Sequence, residues 1–390
     1  MAKGSNIGDS TAAYNSYVSY AANLLRVDAT TRGKVFTLLQ KVESSLIKEL
    51  EKTDPTGVTH TTYQTARFKQ LLKQVQAMLA QKYTEIKGVV LNDLRDLARA
   101  EVQVTAKLTN NYIGVDLLST NLTPGFLNTL VSDTLILGAP SVDWWSRQSD
   151  SLQRSFTDQI RQGMAQGETL QQLSQRIRGT PTGRRVGYRI STGEQRFYTE
   201  YTGGVMDAQR RQVDALIRSS VQAVSQRARY ETYAQNDDVV HGVEALVVLD
   251  NRTTEFCMAL SGQQWTLEGE PIGDSVPWPG YPPYHFNCRT TLIPILKSWE
   301  DLASKDKKDI ARQADKAGLS IDTVQSSMNG PVSGELNYEE WLATQPLTFQ
   351  EELLGPTKFK LWKDGDITFR DLVDQSGNPL TVKELKDRFG

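Results

Sequence analysis

Apolar residues recur at helical spacing along the first part of the chain. One set runs from Val35 to Leu50, a second runs from Phe68 to Tyr83, and a third covers Glu85 to Lys107. Spacings of three and four residues place each set on one face of a helix. Asp54-Pro55 separates the first two sets, because proline has no amide hydrogen and clashes with the preceding helical turn. Residues 1–110 are therefore predicted to form an N-terminal helical region.

Residues 111–235 are predicted to be connecting helices. Thr169 has the chemistry of an N-cap for a short helix at Leu170–Ile177. A long amphipathic helix follows at Val205–Tyr233. Between these two helices, residues 182–204 are rich in glycine and aromatic side chains, which favours a strand pair or an extended arm.

The pattern changes after the long helix. Val239–Leu249 is apolar and β-branched, which is typical of a buried strand or hairpin, so residues 236–297 are predicted to contain a small sheet. Residues 298–390 form a tail of short elements that begins with a charged helix at Trp299–Ala317. The tail either has a small core of its own or packs on the preceding domain. Together the patterns predict a mainly helical α+β protein.

Length and composition limit the class of protein. A chain of 390 residues is long enough for two or three domains with a substantial core. No stretch approaches twenty uninterrupted apolar residues, so no membrane span is predicted. The first residues are polar and lack the apolar segment of a signal peptide. With two cysteines and no export signal, a reducing compartment is expected, and a disulfide between them is not favoured.

Charge is unevenly distributed along the chain. The 44 basic and 46 acidic residues nearly balance, but residues 154–229 contain thirteen arginines, no lysine and six acids, a net charge of +7 (13 − 6). Arginine suits bidentate contact with carboxylates or phosphates. The segment is either a solvated basic face or a surface for an acidic protein or a nucleic acid. The candidate contacts on the long helix are Arg210, Arg211, Arg218, Arg227 and Arg229.

Both cysteines and one of the three histidines lie close together in the sequence. The spacing His285-x-x-Cys288 lets one tight turn direct two ligand atoms to the same point, and Cys257 supplies a third. These three residues are most of the ligand shell of a tetrahedral zinc ion. The fourth ligand would be Asp250, His241 or water. The alternative is that the three residues are hydrogen-bonded or apolar packing groups without a metal.

Residues around these ligands are predicted to stabilise the fold locally. Asp250 is expected to pair with Arg289 or with Arg252, because a buried arginine requires an acidic partner. Gly262 allows a tight turn that a side chain would block, and Pro282-Pro283 restricts the backbone before the histidine. The predicted structural motif consists of Asp250, Arg252, Thr253, Gly262, Pro282, Pro283 and Arg289.

The order of these residues resembles the phage Mu F-like head morphogenesis, or minor capsid, proteins. The matching pattern is Asp250-x-Arg252-Thr253-x3-Cys257-x4-Gly262, followed after a variable loop by Pro282-Pro-x-His285-x-x-Cys288-Arg289. The resemblance covers roughly residues 140–390. Two features depart from it. Lys358 stands where an arginine is expected, and residues 182–204 are an insertion.

The resemblance implies a structural role. Such proteins are low-copy components of tailed-phage heads that act in head assembly and in DNA packaging or delivery, without an established catalytic cycle. The implied partners are the portal protein, the major capsid or scaffold proteins and the packaged DNA. The implied location is the head interior near the portal vertex, after assembly in the host cytoplasm. On this interpretation the protein is not an enzyme, and Zn²⁺ would be a structural cofactor.

Two other classes of function remain open. A zinc ion with three protein ligands and an open position can activate water, with Glu255 or Asp250 as the base of a hydrolase. The chain has no H-E-x-x-H motif, no Walker loop and no G-x-S-x-G motif. The other class is a DNA-binding module that uses the arginine-rich helix. Against it, aromatic side chains are not interleaved with these arginines before Tyr230.

Overall fold

The computed structural model describes residues 10–53, 62–113, 116–189, 195–297, 324–328, 330–333, 336–374 and 378–389. The prediction of a mainly helical α+β protein is confirmed, since long N-terminal helices precede a region with small antiparallel sheets. The predicted break at Asp54-Pro55 and the predicted helix at Trp299–Ala317 lie outside the described residues. Among the residues described, no helix is both long enough and apolar enough to cross a membrane.

Two long helices form the N-terminal region. Helix α1 is Ser10–Thr53 and helix α2 is Thr62–Ile113. The predicted apolar stripes are buried on both helices. The prediction of a separate third helix at Glu85–Lys107 is wrong, because α2 continues through it. Only Thr84 separates the second stripe from the third, and no proline there interrupts the helix.

The middle of the chain contains the predicted short helix and strand pair. Thr169 is the N-cap of α5, as predicted. It also forms a capping box with Gln172. The strand pair predicted within residues 182–204 is the antiparallel hairpin β3–β4. In chain order the elements are α3 (Pro124–Asp133), β1 (Leu135–Ile136), β2 (Ala139–Pro140), α4 (Ser141–Ala165), α5 (Leu170–Arg178), β3 (Thr180–Arg189), β4 (Gln195–Thr202) and α6 (Val205–Ala234).

The C-terminal part contains a three-stranded antiparallel sheet and several short helices. The sheet has the strand order β6-β5-β7. In chain order the elements are β5 (Val240–Leu246), α7 (Glu255–Leu260), β6 (Gln264–Thr266), β7 (Thr291–Leu296), β8 (Val324–Ser327), β9 (Gly330–Ser333), α8 (Tyr338–Ala343), α9 (Leu347–Asp364), a 3-10 turn (Phe369–Leu372) and α10 (Val382–Phe389). Helix α9 is kinked at Gly355, which has a φ of 73°.

The chain divides into two compact units that are interleaved in sequence. One unit consists of Ala22–Ala98 and Gly125–Val224. The other consists of Met1–Ala21, Arg99–Pro124 and Ser225–Gly390. Helices α1, α2 and α6 each contribute residues to both units.

The unit that contains the sheet has two buried clusters. One surrounds Trp265 of β6 and includes residues of α2, α6 and β7. The other joins Cys257 and Cys288 to Tyr338, Trp341 and apolar residues of the later helices. The tail therefore packs on the region that contains the cysteines, which is one of the two arrangements expected from the sequence.

Buried arginines of α6 stabilise each unit from within. Arg210 pairs with Glu43 of α1, and both side chains are only one-tenth exposed. Arg229 donates to Glu101 of α2 from Nε at 3.1 Å and from Nη2 at 3.0 Å. The proposal that Arg210 and Arg229 contact a partner is therefore corrected, because their guanidinium groups are buried against carboxylates of the same chain.

The Arg229–Glu101 pair generates a test of this assignment. Arg229→Ala leaves a buried carboxylate that has lost its arginine, and we expect the free energy of unfolding to fall by about 3–5 kcal/mol. The matched control is Arg211→Ala on the same helix, where the side chain is 68% exposed. We expect the control to change the stability by about 0.5 kcal/mol or less. Urea unfolding measures both values, and equal effects would contradict the structural role of Arg229.

Candidate metal centre

A tight turn brings His285 and Cys288 together, as their spacing predicts. The Cys288 amide donates to the His285 carbonyl at 3.1 Å. Asn287, the third residue of the turn, has a φ of 61°. Asparagine tolerates this left-handed conformation better than most residues with a side chain. The turn therefore directs the imidazole and the thiol toward one point.

The third ligand candidate lies on the short helix α7. Thr254 is its N-cap, and the threonine hydroxyl accepts from the Cys257 amide at 3.4 Å. The cap fixes the first turn of α7, on which Cys257 lies. Both Cys257 and Cys288 are buried, and both are free thiols.

The three ligand atoms are spaced as a tetrahedral metal requires. The two Sγ atoms are 3.9 Å apart, and Cys257 Sγ lies 3.3 Å from His285 Nε2. All three atoms lie within 4.8 Å of one another. Two sulfur ligands at the usual Zn–S distance of about 2.3 Å are roughly 3.8 Å apart in a tetrahedral site. The donor set and its spacing therefore fit zinc.

The histidine is oriented by a second hydrogen bond. His285 Nδ1 lies 2.9 Å from the carbonyl oxygen of Phe286. A carbonyl can only accept, so Nδ1 carries the proton and the lone pair of the neutral ring is on Nε2, facing Cys257 and Thr254. Such outer hydrogen bonds fix the ring of metal-binding histidines. The imidazole is thus already oriented for metal coordination.

The two thiols influence each other's ionisation. The hydrogen bond from Cys257 lowers the pKa of Cys288 against the effect of burial. The hydrogen bond to Cys288 and burial both raise the pKa of Cys257. The pair therefore favours one thiolate, on Cys288, and thiolate is the form that binds metals.

Neither predicted protein candidate for the fourth ligand joins the cluster. Within the described ranges, the cluster of potential ligand atoms consists of Cys257, His285 and Cys288. Both carboxylate oxygens of Asp250 are bound by Arg289. His241 is exposed on β5. Of the three options predicted for the fourth position, water is the one that this arrangement leaves.

The Asp250–Arg289 pair joins the two halves of the sequence motif. Strands β5 and β7 are neighbours, with Leu246 paired to Thr291, so the chain just after β5 lies beside the chain just before β7. Arg289 donates two parallel hydrogen bonds to the Asp250 carboxylate, each 2.6 Å long. The contact from Arg252 is longer, at 3.3 Å. Of the two pairs suggested by the sequence, Arg289 forms the stronger one.

Several further hydrogen bonds hold the Asp250 loop. The Thr253 hydroxyl donates to the Val248 carbonyl. The Tyr338 hydroxyl donates to the backbone oxygen of Asp250 at 2.7 Å. Burial raises the pKa of the Asp250 carboxyl, but hydrogen bonds from Arg289 and from the Arg252 amide outweigh it and lower the pKa to about 2. The carboxylate is therefore ionised and held in place at neutral pH.

The remaining motif residues have different local roles. Gly262 has a φ of 74°, and an added Cβ would meet nothing closer than 3.6 Å, so it is the backbone conformation and not a lack of space that requires glycine. The Pro282-Pro283 peptide bond is cis. Lys358 stands where the family pattern has an arginine. Its Nζ atom donates to Oε1 of Glu255, in the first turn of α7, at 2.6 Å.

The roles of three residues that shape this centre were not predicted from the sequence. Thr254 precedes the apolar run of α7, a position typical of an N-cap, so its role had a local signal. Asn287 lies inside the turn, where asparagine is common at positive φ. Tyr338 gave no signal, because it is 88 residues from Asp250 in the sequence.

The other arginines proposed as partner contacts lie on the surface of α6. Each pairs with an acid four residues away on the same helix: Arg211 with Asp207, Arg218 with Asp214 and Arg227 with Glu231. Arg227 also lies over the Tyr281 ring, 4.3 Å from its centre. These pairs balance much of the positive charge that the sequence places on the helix.

The Asp250–Arg289 pair predicts a pH-dependent stability. The folded pKa of about 2 lies below the ordinary value of 3.8, so the carboxylate stabilises the fold above about pH 4. This contribution is lost as the pH falls toward 2. We expect Asp250→Asn to lower the free energy of unfolding by about 2 kcal/mol at pH 7, and the difference from wild type to shrink below pH 4.

The matched control is Asp274→Asn, which removes the same charge from an exposed loop position. Denaturant unfolding at several pH values measures both variants. A difference between Asp250→Asn and wild type that stays constant from pH 7 to pH 3 would contradict the assignment.

The comparisons with known proteins agree with the resemblance seen in the sequence. A family model described as Phage Mu protein F like protein matches residues 154–293. No curated protein and no solved structure matches the chain. The matched region contains Asp250, Arg289 and all three ligand candidates, and it ends before the tail. Residues 154–293 are therefore similar to the phage Mu F-like family, which supports a bacteriophage head morphogenesis or capsid-related protein in general.

Proposed function

We propose that the protein is a minor capsid, or head morphogenesis, protein that acts at the portal vertex inside the phage head. The observation that supports this proposal is the family match over the region that contains the Asp250–Arg289 pair and the cysteine-histidine cluster. The protein binds the portal and neighbouring capsid or scaffold proteins during assembly, and it acts in DNA packaging or delivery.

The contacts of the two candidate bases favour a binding role over hydrolysis. A hydrolase needs a base that can accept a proton from metal-bound water. Asp250 is held by Arg289, and its pKa of about 2 makes it a weak base. Glu255 Oε1 accepts a hydrogen bond from Lys358 Nζ at 2.6 Å, so this carboxylate is engaged in an ion pair. The lowered pKa of Asp250 and the ion pair of Glu255 with Lys358 support a binding role rather than a hydrolytic one.

The cysteine-histidine cluster is proposed as a structural zinc site. Cys257, His285 and Cys288 would hold the ion, with water as the fourth ligand. When bound, zinc would link α7 to the turn before β7. The two cysteine ligands belong to the same buried cluster as Tyr338 and Trp341 of α8. The metal would therefore stabilise the packing of the tail as well as the motif.

The zinc proposal is tested with the two histidines that the structure describes. We expect about one zinc ion per chain in the wild type and in His241→Ala, because His241 is exposed and outside the cluster. His285→Ala and Cys288→Ser should lose most of the zinc and unfold at lower temperature. Elemental analysis of chelator-free protein measures the metal, and calorimetry measures the unfolding temperature.

Two results would contradict the structural zinc site. One is the finding that purified wild-type protein contains no bound zinc. The other is loss of zinc from His285→Ala with no change in thermal stability, which would reopen the hydrolase interpretation.

The assembly role is tested in phage particles. We expect antibodies against the protein to detect it in purified proheads and virions, at far fewer copies than the major capsid protein. The purified protein should also bind purified portal at moderate salt. Its absence from both proheads and virions would overturn the proposed function, and the major tail protein serves as the control for separating heads from tails.

A further inference from the structure

Among the strands that the structure describes, β3 and β4 pair only with each other and form a two-stranded ribbon. The strands pair from Arg185–Thr199 to Arg189–Gln195, and they form a separate sheet. From Thr180 to Gly187 and from Gln195 to Thr199, each residue whose side chain is described is exposed. An isolated two-stranded ribbon is marginally stable in water. The described side chains of Arg185, Gln195, Phe197 and Thr199 are exposed on one face of the ribbon, which is therefore available to contact a partner.

The base of the ribbon is held close to the rest of its unit. An added Cβ on Gly204 would lie 2.3 Å from the Gly179 amide nitrogen, so these two glycines allow the chain to cross itself there. Arg178 donates to Glu43 of α1 at 2.9 Å, and its guanidinium lies over the Tyr201 ring. The ribbon is thus anchored at its base while its strands remain exposed.

The ribbon is strongly basic. Its two strands contain four arginines and one glutamate, a net charge of +3 (4 − 1). Arg184 is 78% exposed, and its Nε atom lies 3.9 Å from a carboxylate oxygen of Glu200. Arg185 lies over the half-exposed ring of Phe197 at 5.4 Å. The ion pair of Arg184 is thus long, whereas the exposed arginines of α6 form ion pairs of 3.1 Å or less with acids one helical turn away.

The residue types favour a nucleic acid over an acidic protein. Of the ribbon side chains that the structure describes, the apolar ring of Phe197 is exposed beside the exposed Arg184 and Arg185. Protein–DNA interfaces are polar and positively charged. DNA presents a phosphate charge about every 1.7 Å along its axis, so several arginines on an extended ribbon can all be neutralised. A two-stranded ribbon also fits the major groove of a duplex.

We propose that hairpin β3–β4 is an arm that binds duplex DNA through phosphate contacts from Arg184 and Arg185. The inference deepens the proposed function, because it assigns the contact with packaged DNA to the ribbon and not to helix α6. Binding of this kind is independent of base sequence, since phosphates are common to all sequences.

The test uses the purified full-length protein and a labelled DNA duplex, with binding measured by fluorescence anisotropy at several salt concentrations. We expect Arg184→Ala/Arg185→Ala to weaken binding about tenfold and to reduce the slope of log affinity against log salt by about 2. Arg184→Lys/Arg185→Lys retains the charge and should retain most of the slope. Arg211→Ala/Arg218→Ala removes two exposed arginines from α6 and should bind like wild type.

Four results would overturn the inference. They are no duplex binding by the full-length protein at low salt, an equal loss in the α6 variant, tighter binding to single-stranded DNA, and displacement of the duplex by polyglutamate at equal charge. The last would indicate an acidic protein as the partner. The assay contains no phage particles, so failure here leaves the test for the protein in proheads and virions unaffected.

Discussion

The bidentate pair between Asp250 and Arg289 is the interaction on which the motif depends. It joins the chain after β5 to the chain before β7, and the two ligand segments are attached to these same pieces of backbone. Arg289 directly follows Cys288, and α7 with Cys257 begins five residues after Asp250. The position of each thiol is therefore set by an ion pair that is itself outside the ligand set. The tail adds to this arrangement through Tyr338, which binds the backbone of Asp250.

Local chemistry in the sequence predicted much of the fold. The helical stripes, the cap at Thr169 and the strand pair after it depend on neighbours within a few residues, so a single sequence carries the information. The error in α2 has the same origin, because the apolar spacing continues from Tyr83 through Ile86 to Val90 and no residue there ends a helix. The turn at His285-x-x-Cys288 was likewise predictable from its spacing.

Long-range partners were the part that the sequence could not supply. Arg210 and Arg229 lie on the same amphipathic helix as the exposed arginines of α6, and their partners Glu43 and Glu101 are more than 100 residues away in the sequence. The fourth ligand shows the same limit. Asp250 was a reasonable candidate by residue type, yet its oxygens are occupied by a residue 39 positions away. Residue identity shows what a side chain can bind, and the fold decides what it does bind.

The exposed strands of hairpin β3–β4 are free of a constraint that applies to the buried elements. Substitutions in a close-packed core must preserve volume and shape. Along the ribbon, backbone hydrogen bonds hold the two strands together, while the described side chains of the strands face water. Changes in the charge or size of these side chains would leave the core of the unit intact. The protein could therefore acquire a new binding preference through substitutions on hairpin β3–β4 alone.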